Sequence, residues 1–148
     1  MTLADALSGI TLLGMDTSPF IYYVEDRAPY ADQCEHVLER ITAGEVTAYT
    51  SVLTLTEALV HPLRNADAAL ETDYATLLLE TEGIVSLPLD ATTARNAADL
   101  RARYRLRTPD AIQVATAMGV GCEAFLTNDG GLRRVTELRV IVLDDLSP

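Results

Sequence analysis

Four acidic residues lie far apart in the chain, each in a setting that suits chemistry. Asp16 ends the apolar run Ile10-Thr11-Leu12-Leu13-Gly14-Met15, and Asp129 follows a second such run, Ala124-Phe125-Leu126-Thr127-Asn128. Asp110 stands behind the helix-opening pair Thr108-Pro109. Glu57 falls in the first turns of an apolar helix that follows the strand-like Val46-Thr47-Ala48-Tyr49-Thr50. In an open parallel sheet, strand ends and helix starts share one edge, and ligands bind there. Carboxylates gathered at that edge repel one another unless a positive charge sits among them. The simplest such charge is a divalent, oxygen-seeking cation, Mg²⁺ or Mn²⁺.

Each acid also has an ordinary structural explanation. Asp16 suits a helix N-cap, and Asp110 is favoured near a helix start by the dipole. Asp129-Gly130 is a common turn dipeptide, and Glu57 fits a solvated helix face. Taken together these explanations fall behind, because the expected fold brings all four acids to one edge. Other acids, such as Glu71, Asp73, Glu80 and Glu82, lie on helix faces and read as surface charge.

The elements that must position the four alternate between strand and helix. A strand over about residues 10–16 leads into a helix near Thr17-Ser18-Pro19, where an early proline is tolerated. A second helix begins at Pro29, carries Cys34, Val37, Leu38 and Ile41 at helical spacing, and ends at Gly44. After the strand Val46 to Thr50, Ser51 caps a helix with an apolar stripe of Val52, Leu55, Leu59 and Leu63. The next helix runs through Leu70, Tyr74, Leu77 and Leu78 to Gly83. Ile84 to Leu89 reads as a strand, and Pro88 marks it as an edge. A helix from Asp90 or Thr92 ends near Tyr104, and Thr108-Pro109-Asp110 opens an apolar helix closed by Gly119 and Gly121. A strand at about 123–127, a short helix near 130–135 and a last strand at Arg139 to Leu143 complete the series. This alternation predicts a single domain over residues 1–148, an α/β sandwich with a parallel sheet.

The composition fits that expectation. The chain has 148 residues, of which 49% are hydrophobic and 22% charged, so it can bury one sizeable core. No apolar stretch reaches the roughly 18–20 residues that span a bilayer. The start, Met1-Thr2-Leu3-Ala4-Asp5, lacks the basic residues of a signal peptide, so a cytoplasmic location is expected. Cys34 and Cys122 form no C-x-x-C pair and are expected as buried free thiols.

Net charge is −11 and the pI about 4.4, which argues against a general nucleic-acid coat protein, whose affinity comes largely from phosphate neutralisation. It leaves room for an enzyme that holds a phosphodiester through metal and a few local arginines, or for an acidic face that meets a basic protein. All 11 basic residues are arginine. Without lysine there is no P-loop. Haloacid-dehalogenase phosphatases and response-regulator receivers fail for the same reason, since both need a lysine at the acidic edge. Asp16-Thr17-Ser18 also lacks the second aspartate of the phosphatase D-x-D signature.

In order and spacing, four segments resemble the PIN-domain nucleases, and within them the VapC-like toxins of prokaryotic toxin–antitoxin pairs. They are Met15-Asp16-Thr17-Ser18, Ser51-Val52-Leu53-Thr54-Leu55-Thr56-Glu57, Thr108-Pro109-Asp110-Ala111-Ile112 and Phe125-Leu126-Thr127-Asn128-Asp129. The resemblance runs from about Leu13 to Leu143. It implies a PIN-like three-layer sandwich with about five mainly parallel strands flanked by helices. It also implies a Mg²⁺- or Mn²⁺-dependent endoribonuclease, frequent homodimers and a protein antitoxin. The family's acidic quartet falls onto Asp16, Glu57, Asp110 and Asp129. Its supporting hydroxyl and amide positions fall onto Thr17 or Ser18, Thr127 and Asn128.

One or two metals held by the quartet would make hydroxide available near neutral pH. Asp16 and Asp110 are the first choice for direct coordination; Glu57 and Asp129 would bind directly, through water, or hold a second ion. Arginine would position the RNA substrate. Arg133 and Arg134, after Asp129, are preferred over Arg101, Arg103, Arg105 and Arg107, which precede Asp110. His61, four residues after Glu57, reads as a helix-end residue rather than a ligand, and His36 as a surface residue. Two alternatives stay open: a housekeeping RNA-processing nuclease without an antitoxin, and a non-catalytic PIN-like binding module.

Overall fold

Five short strands form one all-parallel sheet in the computed structural model, which describes residues 1–148. They are β1 (Leu12–Met15), β2 (Thr47–Ser51), β3 (Ile84–Leu87), β4 (Ala124–Thr127) and β5 (Arg139–Val142), in the order β3-β2-β1-β4-β5. β1 is central, with Leu13 opposite Ala48 on one side and Ala124 on the other. Seven α-helices connect and cover the sheet: α1 (Leu3–Ala6), α2 (Thr17–Val24), α3 (Ala31–Thr42), α4 (Leu53–Arg64), α5 (Ala68–Glu80), α6 (Ala91–Tyr104) and α7 (Thr108–Gly119). Short 3-10 turns follow β4 (Gly130–Arg134) and β5 (Leu143–Asp145). None of the helices is long and apolar enough to cross a membrane.

Side-chain alternation along the strands divides the interior into two cores. Leu13 and Met15 of β1 and Leu126 of β4 face α1 to α5, in a cluster with Phe20, Leu38, Ile41 and Tyr74. Leu12 of β1 and Phe125 of β4 face α6 and α7, packing with Leu100, Ala111, Val114 and Ala117. This is the expected three-layer sandwich. The β4 run is buried along its whole length, as a strand covered on both faces must be. Gly14 sets how closely α7 approaches β1. A Cβ there would lie 2.5 Å from the Ala117 Cβ and 2.8 Å from the Phe125 ring.

The strand order creates the place where a site can form. From β1 the chain steps outward to β2 and β3. It then returns over the other face through α6 and α7 to add β4 and β5. The loops leaving β1 and β4 therefore diverge to opposite faces. That divergence opens a crevice at the carboxyl ends of these two neighbours.

Several local expectations are corrected. The N-terminal residues hold a helix the apolar periodicity does not announce: α1, opened by a capping box between Thr2 and Asp5. The second helix starts at Ala31 rather than Pro29. The stripe of α4 points outward. Val52 and Leu63 are exposed, Leu55 and Leu59 are half-buried, and the inward positions are Thr54, Ala58 and Pro62. Ser51 ends β2 rather than preceding α4 directly, yet its hydroxyl does accept the Leu53 N–H at 3.1 Å. β3 is an edge strand, as Pro88 suggested. Both cysteines are free and buried.

Candidate active site at the carboxyl edge of the sheet

Asp16 is the residue that follows β1, and it opens α2 as its N-cap. An N-cap side chain ordinarily takes the N–H of the second or third helical residue. Here the third is Pro19, which has none. One carboxylate oxygen accepts the adjacent Thr17 N–H at 2.8 Å, and the other accepts the Thr127 hydroxyl at 2.7 Å. Thr127 is the last residue of β4 and fully buried, and its oxygen also accepts the Asp129 N–H at 3.0 Å. Asp16 is itself 9% exposed. Burial pushes its carboxyl up from 3.8 to about 6. The Thr127 and Thr17 bonds oppose that rise, and the nearby charges of Asp110 and Glu57 add to it.

Beneath the acids lies a buried polar network that ties four elements together. The Thr17 hydroxyl donates to Glu57 Oε1 at 2.8 Å and lies 3.2 Å from the Thr54 hydroxyl of α4. Thr54 in turn accepts from Gln113 Nε2 of α7 at 2.7 Å and pairs with Thr50 of β2, also at 2.7 Å. Gln113 Oε1 takes the Ser51 N–H at 3.1 Å. No buried side-chain nitrogen or oxygen in the molecule lacks a partner. A fully satisfied network of this kind rigidifies what it supports. It holds the first turns of α2, α4 and α7 in fixed register, and with them Asp16, Glu57 and Asp110.

The four acids, Arg107 and Tyr22 line one open cleft. Asp110, in the first turn of α7, is 7% exposed. The Arg107 guanidinium reaches it through Nε at 3.0 Å and Nη2 at 3.4 Å, and the same Nη2 lies 4.0 Å from Asp129 Oδ2. Asp129 also caps the 3-10 turn after β4 by accepting the Gly131 N–H at 2.8 Å. The pairing with Asp110 raises the Arg107 pKa further. No group of three or more His, Cys, Asp or Glu side chains converges as a closed ligand set. The donors still fit a hard divalent cation: they are all oxygen, one is a buried carboxylate with no cation bonded to it, and Mg²⁺ draws on only one or two carboxylates and keeps its waters.

Thr17, Thr127 and Asn128 all sit at this edge. Asn128 accepts the Asp144 N–H at 2.9 Å and donates to the Tyr22 hydroxyl at 3.3 Å, while Ser18 lines the cleft. The arginines preferred from sequence lie elsewhere. Arg133 forks onto Asp145 at 2.6 and 2.8 Å, and Arg134 donates to the Gly131 carbonyl at 2.8 Å. Neither lines the cleft, so Arg107 is the cleft's only basic side chain. The 3-10 turn after Asp129 carries both side chains away from the cleft. His61 is exposed beside Asn65, at 3.1 Å, and His36 is exposed beside Glu39. Sequence alone does not single out Gln113 and Thr54 as parts of the site. The one available signal was an amide one turn after Asp110 in an otherwise apolar helix.

Comparisons with known proteins bear on the fold and the family. No curated protein matches the sequence. Among solved structures, a toxin–antitoxin complex from Klebsiella pneumoniae aligns at 22% identity with a TM-score of 0.68, covering 90% of this chain and 97% of that one. VapBC2 from Rickettsia felis, bound to a DNA fragment from its promoter, aligns at 14% identity and a TM-score of 0.71, covering 89% and 98%. DNA-bound VapBC from Salmonella typhimurium aligns at 18% and 0.65, covering 90% and 98%. At these identities the likeness is one of fold. The family model of the PIN domain matches residues 15–138, from the end of β1 to the start of β5, and by that match the chain belongs to the PIN domain family.

Proposed function

We propose that this chain is a divalent-metal-dependent endoribonuclease that hydrolyses RNA phosphodiester bonds, acting as the toxin of a toxin–antitoxin pair. The observation that carries the reading is Asp16. It is a buried carboxylate with no arginine bonded to it, set at a topological switch point beside three more acids. A structural role does not call for an acid there, since a neutral side chain would cap α2 without the burial penalty. Asp16 and Asp110 would hold Mg²⁺ or Mn²⁺ directly, with Glu57 and Asp129 completing the charge. When bound, such a cation supplies a water of lowered pKa and neutralises charge on the phosphate.

The chain's own residues do the rest. Thr127 and the Thr17 N–H fix both Asp16 oxygens, so the carboxylate keeps one orientation. Thr17 does the same for Glu57, which lies on the exposed side of α4 and is placed to accept a proton from water entering the cleft. The test is cleavage of total RNA with Mg²⁺, Mn²⁺ or EDTA. Asp16→Asn and Glu57→Gln should each lower the rate by about a hundredfold or more, while His61→Gln leaves it unchanged. Full activity in Asp16→Asn would overturn the mechanism.

The toxin assignment draws on the outward stripe at α4, where Val52, Val60 and Leu63 are exposed. An amphipathic, basic antitoxin segment would cover that stripe and place a cation among the acids. Co-purification with the product of the upstream reading frame tests it. A neighbour that does not bind, or binds without inhibiting, favours an RNA-processing nuclease with no antitoxin.

A further inference from the structure

Arg107 stands apart from the other arginines near it. Arg103 is fixed by Asp99 and Glu137, both at 2.8 Å, and Arg133 by Asp145, all outside the cleft. The Arg107 side chain is 75% exposed, and its recorded bonds all go to cleft acids. It emerges from the residue just before α7, so its backbone is held at the helix start while its side chain reaches over the cleft. Its nitrogens contact the Asp110 oxygens and approach those of Asp129. A hard divalent cation would draw on the same oxygens, and two cations cannot share one carboxylate face at full strength.

Resting on the nuclease reading above, we propose that Arg107 is an exchangeable counter-ion with two positions. Without metal it neutralises Asp110 and Asp129 and holds the acidic pair together. When a divalent cation takes those oxygens, the guanidinium is released at the cleft rim and forks onto the phosphate of the incoming RNA. A planar guanidinium suits both partners, since it pairs bidentately with carboxylate and with phosphate. In a chain of net charge −11 without lysine, this reuse gives the substrate a local positive contact that appears only once the site is loaded.

Calorimetric titration with Mn²⁺ and anisotropy of a fluorescent single-stranded RNA in Ca²⁺ test the two positions separately. Arg107→Gln should bind Mn²⁺ about thirtyfold more tightly, the Coulomb effect of removing one unit charge about 4 Å from a divalent ion through water, about 2 kcal/mol. The same variant should bind the RNA roughly tenfold more weakly in Ca²⁺, from the loss of a charge-assisted bond. Arg133→Gln removes an equal charge from outside the cleft and should leave Mn²⁺ affinity unchanged. Equal tightening in both variants, or no tightening in Arg107→Gln, would overturn the counter-ion role. Tighter Mn²⁺ with unchanged RNA affinity would overturn the phosphate role. If the unaltered chain bound Mn²⁺ and cleaved RNA, either result would leave the nuclease reading standing. If it bound no Mn²⁺, both would fall together.

Discussion

Replacing Asp16 by Asn should stabilise the metal-free protein at neutral pH, even as it removes activity. The folded-state carboxyl is raised from 3.8 to about 6, so the folded chain holds this proton more tightly than the unfolded chain does. The resulting stability is fully present below 3.8 and is lost as pH rises through about 6. At about 1.4 kcal/mol per pKa unit, the ionised carboxylate then costs about 3 kcal/mol at neutral pH. The amide carries no charge and avoids that cost. It has its own penalty, because its NH₂ must face the Thr127 hydroxyl, which now donates to a carboxylate oxygen. Turning or losing that bond costs about 1 kcal/mol. The net gain is about 1–2 kcal/mol, which in a chain of this size raises Tm by roughly 2–8 °C. Urea unfolding in EDTA at about pH 7.5 and pH 4 measures it. The gain should shrink or reverse at the lower pH, where the wild-type carboxyl is protonated. An Asn variant less stable than wild type at about pH 7.5 would refute the claim that desolvation dominates at this position.

Saturating Mn²⁺ should raise the wild-type Tm, since about a hundredfold excess over Kd adds about 2.7 kcal/mol to a native state that alone binds it. Asp110→Asn should lose most of that rise in the same thermal scan. Gly14→Ala should destabilise by about 1–3 kcal/mol in denaturant titration, because the added methyl meets Ala117 and Phe125 inside van der Waals distance. A neutral result there would mean α7 can shift away from β1 freely.

Much of this molecule was legible before folding was considered. The apolar run of β4 is continuous because both its faces are covered, and such runs announce buried parallel strands. Thr108-Pro109-Asp110 marked the start of α7, and of the two starts open for α6, Asp90 and Thr92, Asp90 is the cap, because capping is chemistry among neighbours in sequence. The four acids were readable because a parallel sheet sends every strand end and helix start to one edge. What was not legible depends on packing. Helical spacing in α4 marks its apolar positions but not which side chains fill the inward face. Here the inward face carries Thr54, whose hydroxyl is consumed by Gln113, Thr50 and Thr17 from three other elements.

The sequence alone determined what depends on local preference and period: the alternation of elements, the parallel sheet and the residues at its carboxyl edge. Tertiary structure decided which charges meet. Arg107 and Arg133 are alike in type and each lies a few residues from a cleft acid. One points into the cleft and one onto Asp145, because the start of α7 and the 3-10 turn after β4 aim their side chains differently. Burial decided Asp16 in the same way. Whether a carboxyl at a strand end sits at its ordinary pKa or near 6 depends on how much water the surrounding elements remove, and no stretch of sequence encodes that by itself.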